Sequence, residues 1–216
     1  MTAPFTIDIW SDVGCPFCYL GKANLEQALL DFEHREHVVR RYRAFELDSN
    51  ARAVYDEPLP ELIARKYGIA VEQASASQVR LEAQALDMGM RWSLANARHA
   101  NSFDAHRLIA LANAQDKQLE MVERLFRAYF SEAELISDHA TLVRLASDVG
   151  VVGADDLLSS DDFGKEVRVD EEQALELGIS GVPSMLLDGR FMVVGAQPPE
   201  TLLDVLRRAW ARREVL

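Results

Sequence analysis

An apolar run, Phe5-Thr6-Ile7-Asp8-Ile9-Trp10, is followed at once by Ser11-Asp12-Val13-Gly14 and then Cys15-Pro16-Phe17-Cys18, and this junction constrains the fold more than any other stretch. The run has the length and apolarity of a buried strand. After the cysteines, Leu25, Ala28, Leu29 and Phe32 recur at helical spacing, which predicts a helix from Phe17 to about Phe32. Pro16 fits the first turn of that helix, where its missing N–H costs nothing. Val38 to Leu47, carrying Arg40, Arg41 and Arg43, reads as a second strand with exposed arginines, so the chain opens β-α-β. Cys15 therefore stands at a helix N-terminus, where unpaired backbone N–H groups and the macrodipole favour a thiolate. Cys18, one turn further on, is placed to resolve a mixed disulfide formed by the first sulfur.

Other uses of the pair fit less well but stay open. A structural disulfide here would close a loop too short to restrain the unfolded chain much. A zinc site would need two more ligands, and no second C-x-x-C or H-x-x-x-H supplies them; His34 and His37, the nearest histidines, sit near the predicted exit of the helix. The expectation is a redox pair with no metal and no cofactor.

Composition sets outer bounds. A chain of 216 residues, 49% hydrophobic, can build one elaborated domain or two packed units around a real core. A net charge of −12 argues against general nucleic-acid binding and against adhesion to anionic membranes. No stretch approaches a membrane span. Met1-Thr2-Ala3-Pro4 leads almost directly into the first strand, with neither a basic n-region nor a separate apolar h-region. The expected compartment is the cytoplasm, where a cycling disulfide is more at home than a permanent one.

Pro58 and Pro60 mark a change of character. Between Glu61 and about Leu158 no strand pattern occurs; helices are predicted over Glu61 to Tyr67, Val71 to Met88, Phe103 to Gln115, Leu119 to Phe130 and His139 to Val149, the last with Ser137 as N-cap and Gly150 as stop. Asp161 to Leu177 reads as an acid-rich helix stopped by Gly178, its charges a solvated face. Strands return at Ser184 to Leu187 and Phe191 to Val194, joined through Asp188-Gly189, and Pro198-Pro199 opens a last helix to about Arg213. The order, β-α-β, helices, α, β-β-α, implies an α/β sheet interrupted in sequence by a helical insertion.

Gly178-Ile179-Ser180-Gly181-Val182-Pro183-Ser184-Met185 precedes the first of the late strands. A chain that opens β-CxxC-α-β and closes α-GxxGVP-β-β-α resembles the thioredoxin fold, and the helical insertion narrows the likeness to its DsbA-like branch. Ser11-Asp12-Val13-Gly14-Cys15-Pro16-Phe17-Cys18-Tyr19-Leu20-Gly21-Lys22, Asn101-Ser102-Phe103-Asp104-Ala105-His106-Arg107-Leu108, and Gly181-Val182-Pro183-Ser184 followed by Gly195-Ala196-Gln197 are similar to the FrnE-type group. The likeness spans nearly the whole chain. It implies a thioredoxin-like domain made of residues 1–55 and 162–216, and an inserted helical subdomain at 56–161.

The resemblance also implies a thiol–disulfide oxidoreductase or isomerase acting on protein cysteines, with Cys15 the exposed nucleophile, Cys18 the shielded resolving thiol, and Pro16, Phe17, Val182 and Pro183 lining the site. Pro183 is expected after a cis bond beside the cysteines, leaving the Val182 backbone for an extended substrate strand. Asp8, on a central strand, is the candidate proton relay beneath the pair. Asn101, His106 and Arg107 are weaker candidates, and Trp10, Phe17, Tyr19 and Trp92 a possible apolar lining. The same scaffold serves kappa-class glutathione transferases and 2-hydroxychromene-2-carboxylate isomerases, which makes glutathione an alternative partner and a glutathione-dependent transferase or isomerase the alternative function. Those relatives place serine where this chain has Cys15, so the intact pair favours disulfide exchange.

Overall fold

The computed structural model describes residues 4–213; Met1, Thr2 and Ala3, on which the reading about export partly rests, lie outside them. The chain divides into two compact units, Met1–Leu47 with Val167–Leu216, and Asp48–Glu166.

The first unit is built on a four-stranded sheet. Its strands are β1 (Phe5–Ser11), β2 (Val38–Ala44), β3 (Ser184–Leu187) and β4 (Phe191–Val194), in the order β2-β1-β3-β4. The first two run parallel, joined through α1 (Pro16–Leu30), with Phe5 opposite Val38 and Ser11 opposite Ala44. The third lies antiparallel on the other side of β1, with Ile9 opposite Met185 and Trp10 opposite Ser184. A tight turn leads from β3 to β4: Asp188 and Gly189 both have positive φ, 50° and 67°, which is the conformation a primed hairpin turn requires.

Alternation along β1 divides its side chains between two layers. Phe5, Ile7 and Ile9 are buried on the face covered by α1 and α9 (Pro199–Ala211), which pack on each other; the Phe5 ring lies 5.8 Å from that of Trp210 and 6.2 Å from that of Phe32. The other face is covered by α8 (Gly164–Glu176), where Trp10 packs with Ala174 and Ile179, and the indole N–H donates to the Asp170 carbonyl at 2.8 Å. Each such large side chain removed from water contributes roughly 1.5–3 kcal/mol, so the sheet is held from both sides.

On the α8 face the arginines of β2 are not all solvated, contrary to expectation. Arg43 bridges Asp8 at 2.8 Å and Asp170 at 3.1 Å. The second strand also stops at Ala44, short of the expected Leu47, because its continuing N–H groups go to carboxylates: Glu46 N–H donates to Glu171 and Leu47 N–H to Asp12. Ala44 N–H is held in the same way by Asp170.

The second unit is helical among its described residues: α2 (Leu59–Tyr67), α3 (Val71–Asp87), α4 (Phe103–Asn113), α5 (Gln118–Phe130), α6 (His139–Asp148) and α7 (Ala154–Leu158). Leu108, Met121, Leu125, Phe126, Phe130, Leu142 and Leu145 form much of its interior, and Trp92 stacks on Phe130 at 4.8 Å. The cap of α6 is Asp138, not Ser137: the Asp138 carboxylate accepts the Thr141 N–H at 2.8 Å, while the Ser137 hydroxyl donates to the Ala53 carbonyl. The short α7 carries too few residues to show a period, and α8 begins later than Asp161 because Phe163 takes a left-handed φ of 59°.

Candidate active site

Cys15 is the N-cap of α1 and Pro16 its first residue, so the helix begins at the first sulfur. Proline is well suited to that position, since the N–H it lacks would have had no intrahelical partner. The loop from β1 is fixed by one residue, Asp12. Its backbone carbonyl accepts the Cys15 N–H at 3.1 Å, and its buried carboxylate accepts the Gly14 N–H at 3.4 Å and the Leu47 N–H at 2.8 Å. The Cys15 carbonyl in turn accepts the N–H of Cys18 at 3.0 Å, which starts the first turn.

Both cysteines are free thiols. They are nearly equally shielded, Cys15 at 3% and Cys18 at 2% exposure, so the expectation that the first sulfur stands in solvent is corrected. The cause is partly the Val182 segment: the Cys15 thiol donates to the Val182 carbonyl oxygen across 3.7 Å. Phe17, between the cysteines, is half exposed at 50% and presents its ring at the surface. Burial pushes the Cys18 thiol well up from its ordinary range, and the hydrogen bond and charge of Cys15 push the same way; the Asp12 backbone and the Ser11 hydroxyl oppose this. Cys18 is thus held as a protonated thiol until something removes its proton.

The second motif completes the site. The Val182–Pro183 peptide bond is cis. Pro183 and Ser184 are buried, the Ser184 hydroxyl donates to the Gly181 carbonyl at 2.8 Å, and the Gly195 N–H donates to the Pro183 carbonyl at 2.8 Å. The sheet explains why these distant segments meet. Pairing of Trp10 with Ser184 brings the end of β1, which feeds the cysteine loop, beside the start of β3, which follows Pro183.

Other candidates are placed elsewhere. The Asp8 carboxylate is held by Arg43, at 2.8 and 2.9 Å to two of its nitrogens, whereas the side chains of Cys15 and Ser11 hydrogen-bond Cys18. Alternation on β1 accounts for this, since Asp8 faces α8 with Trp10. Trp10 and Tyr19 are buried, and Trp92 belongs to the helical unit. In that unit the Asn101 side chain accepts the Phe103 N–H at 2.9 Å at the start of α4, and His106 is buried. Arg107 is a structural tie: it donates to the carbonyls of Leu157, Ser160 and Asp162 and to the Asp104 carboxylate, closing the C-terminal end of α7. Among the described residues no group of three or more His, Cys, Asp or Glu side chains is arranged to hold a metal ion, and no helix is long and apolar enough to cross a membrane.

Ser11, Asp12 and Gly21 lie inside the first motif, which by itself assigns none of them a role at the site. The third had a signal: glycine inside a helix is disfavoured by roughly 1 kcal/mol against alanine, so its presence points to a packing demand.

Comparison with known proteins agrees with this geometry. The structure of the probable DsbA oxidoreductase SCO1869 from Streptomyces coelicolor superposes with a TM-score of 0.92 at 36% identity, covering 96% of this chain and 90% of that one. The uncharacterized protein YwbO of Bacillus subtilis (strain 168) is 29% identical over 152 residues, 68% of each chain. The cytosolic disulfide reductase DsbM from Pseudomonas aeruginosa shares the fold, with a TM-score of 0.65 at 18% identity over 95% of this chain and 98% of its own. The model of the DSBA-like thioredoxin domain matches residues 6–207. With the cysteine pair at the start of α1, the proline loop beside it and a helical unit interrupting the sheet in sequence, the chain belongs to the DSBA-like thioredoxin domain family.

Proposed function

We propose that the protein is a dithiol–disulfide oxidoreductase that uses Cys15 and Cys18 on cysteines of other proteins. The observation that carries this reading is the 3.7 Å contact between the Cys15 sulfur and the Val182 carbonyl, at the N-terminus of a helix with a second thiol one turn away. In the reducing direction the Cys15 thiolate attacks one sulfur of a substrate disulfide. The Cys15–substrate bond forms, the substrate S–S bond breaks, and one substrate thiolate leaves. Cys18 then loses its proton and attacks the Cys15 sulfur; the intramolecular disulfide forms and the second substrate thiolate departs. The substrate is reduced by two electrons and the protein oxidised by two. The oxidising direction is the reverse.

The resolving step needs a proton taken from a buried thiol. Ser11 and the Asp12 backbone, which stabilise the charged form of Cys18, are the groups that ease it, and the departing substrate thiolate is a natural acceptor. Val182, half buried with its backbone beside the sulfur, would pair with an extended substrate segment, as in strand addition. The exposed ring of Phe17 would give that segment an apolar neighbour. We place the activity in the cytosol, where a pair that cycles is favoured over a permanent bridge; the chain holds two cysteines, both in the pair.

The test is a single turnover of the fully reduced protein with insulin as the disulfide substrate, followed by acid quenching, alkylation and mass spectrometry that count the thiols left on this protein alone. Wild type should consume one disulfide per molecule and Cys15→Ser none. A Cys15→Ser protein that stays inert toward disulfides yet conjugates or isomerises small aromatic substrates with glutathione would return the alternative function.

A further inference from the structure

Helix α1 presents Gly21 to the loop that carries Val182 and Pro183. A Cβ at this position would stand 2.9 Å from the Cγ of Pro183 and 3.6 Å from the Cα of Ala196. The first distance is well inside the contact limit of two carbons, so any side chain at position 21 must push the proline ring or the helix away. Glycine is a poor residue for a helix interior, and here the close approach explains its use. Three residues on, the same face of α1 holds the loop again: the Asn24 side-chain amide donates to the Gln197 carbonyl at 2.9 Å. Gly195, beside Ala196 and Gln197, donates its N–H to the Pro183 carbonyl at 2.8 Å, which makes the two contact points one unit.

This arrangement links the start and the middle of one rigid element. Cys15 caps the start of α1, and Gly21 and Asn24, roughly two turns later, fix where the Val182 segment can sit. We infer that Gly21 is a positioning residue for exchange with extended substrates: its missing side chain seats Pro183 on α1 and so sets the spacing between the Cys15 sulfur and the Val182 backbone. The inference rests on the oxidoreductase reading above and adds to it the element that registers an incoming strand against the nucleophile. A small disulfide needs only the sulfur, whereas a polypeptide also needs the Val182 backbone at the right height. A misplacement of about 1 Å can cost a reaction as much as a hundredfold, and that cost should fall on the polypeptide.

The experiment compares wild type, Gly21→Ala and Asn24→Ala in single turnover of the reduced protein, with insulin and with dithiodipyridine as the two oxidants and circular dichroism as the check on folding. The expected result for Gly21→Ala is a rise of about tenfold in the insulin concentration giving half-maximal rate, with a change of less than about threefold in the dithiodipyridine rate. Asn24→Ala, which loosens the same loop without crowding it, should show the same split with smaller amplitude, and it decides the matter if Gly21→Ala does not fold. Equal losses with both oxidants, or no change with either, would overturn the inference while leaving the oxidoreductase reading intact. That reading fails separately, if wild type itself does not reduce insulin or if Cys15→Ser still does.

Discussion

The Cys15 sulfur and the Val182 carbonyl oxygen, 167 positions apart in sequence, stand 3.7 Å from each other. One belongs to the opening of the chain and the other to its last fifth, and the antiparallel pairing of β1 with β3 joins them. The chemistry of the site therefore depends on sheet register as much as on either motif, because slipping β3 by one residue would turn its side chains to the opposite face.

Removing the resolving thiol should stop the reaction half-way. In Cys18→Ser, Cys15 can still attack a disulfide but nothing displaces the substrate, so a mixed disulfide accumulates. Intact-mass spectrometry after incubation with insulin should show an adduct on most molecules of this variant, and none on Cys15→Ser. An equal adduct on both variants would contradict the assigned order of attack.

The reduced protein should lose stability in mild alkali. The folded-state pKa of Cys18 is raised, so above the unfolded value of about 8.5 the unfolded chain releases a proton that the folded chain retains. Stability from this source is complete below that pH and declines as the pH rises toward the folded value. Urea titrations of the reduced protein between pH 7 and pH 10, the two conditions roughly bracketing the free-thiol range, should show a falling midpoint. In Cys18→Ala the fall should be shallower.

Asp8→Asn should leave exchange nearly untouched. Its carboxylate is committed to Arg43, which also holds Asp170, in a partly shielded network that ties β1, β2 and α8 together. Losing one charge should cost about 1 kcal/mol of stability, discounted for the solvent that still reaches Arg43. The single-turnover rate with insulin should stay within about twofold, a free-energy change below 0.5 kcal/mol on the order of thermal energy. A loss of a hundredfold would restore Asp8 as the proton acceptor for Cys18.

Arg107→Ala should act on the helical unit. The buried guanidinium serves three carbonyls and the Asp104 carboxylate; without it Asp104 keeps His139 and the Leu157 carbonyl keeps its Ser160 donors, while the Ser160 and Asp162 carbonyls lose this donor. A cost of about 3 kcal/mol is expected from the range for removing one member of a buried charged network. Guanidinium unfolding followed by fluorescence should give a lower midpoint for this variant than for Arg65→Ala, whose partner Glu57 lies in an exposed pair.

What could be read from the sequence depended on how local its cause is. The strand before Cys15, Pro16 at N1 of α1 and the Asp188-Gly189 turn follow from short-range chemistry, and each stands where its residues indicated. Ser137 and Asp138 both suit an N-cap, and the choice fell to Asp138 because Ala53, far off in sequence, takes the Ser137 hydroxyl. Arg43 looks like a surface charge, and Asp8 like a relay beneath the cysteines, until Arg43 is seen to bridge Asp8 and the Asp170 that α8 supplies. The loop beside Cys15 is foreseen through the resemblance of the GxxGVP motif and not from local chemistry, since a helix N-terminus alone gives no hint of which loop will lie against it. Gly21 shows the converse case, where a residue locally unfavourable in a helix marks a contact that only the tertiary structure reveals.

The position of β1 in the sheet bears on the birth of the protein. One edge of this strand can pair with β2 once 44 residues have been made, but the other waits for Ser184–Leu187. Throughout synthesis of the helical unit, a nascent chain carries an open strand edge next to an unfinished dithiol, a combination suited to wrong pairing and to premature oxidation. Ribosome-bound chains halted within the helical unit should therefore be the ones most in need of chaperones, and release of the last strands should end that vulnerability in a single step.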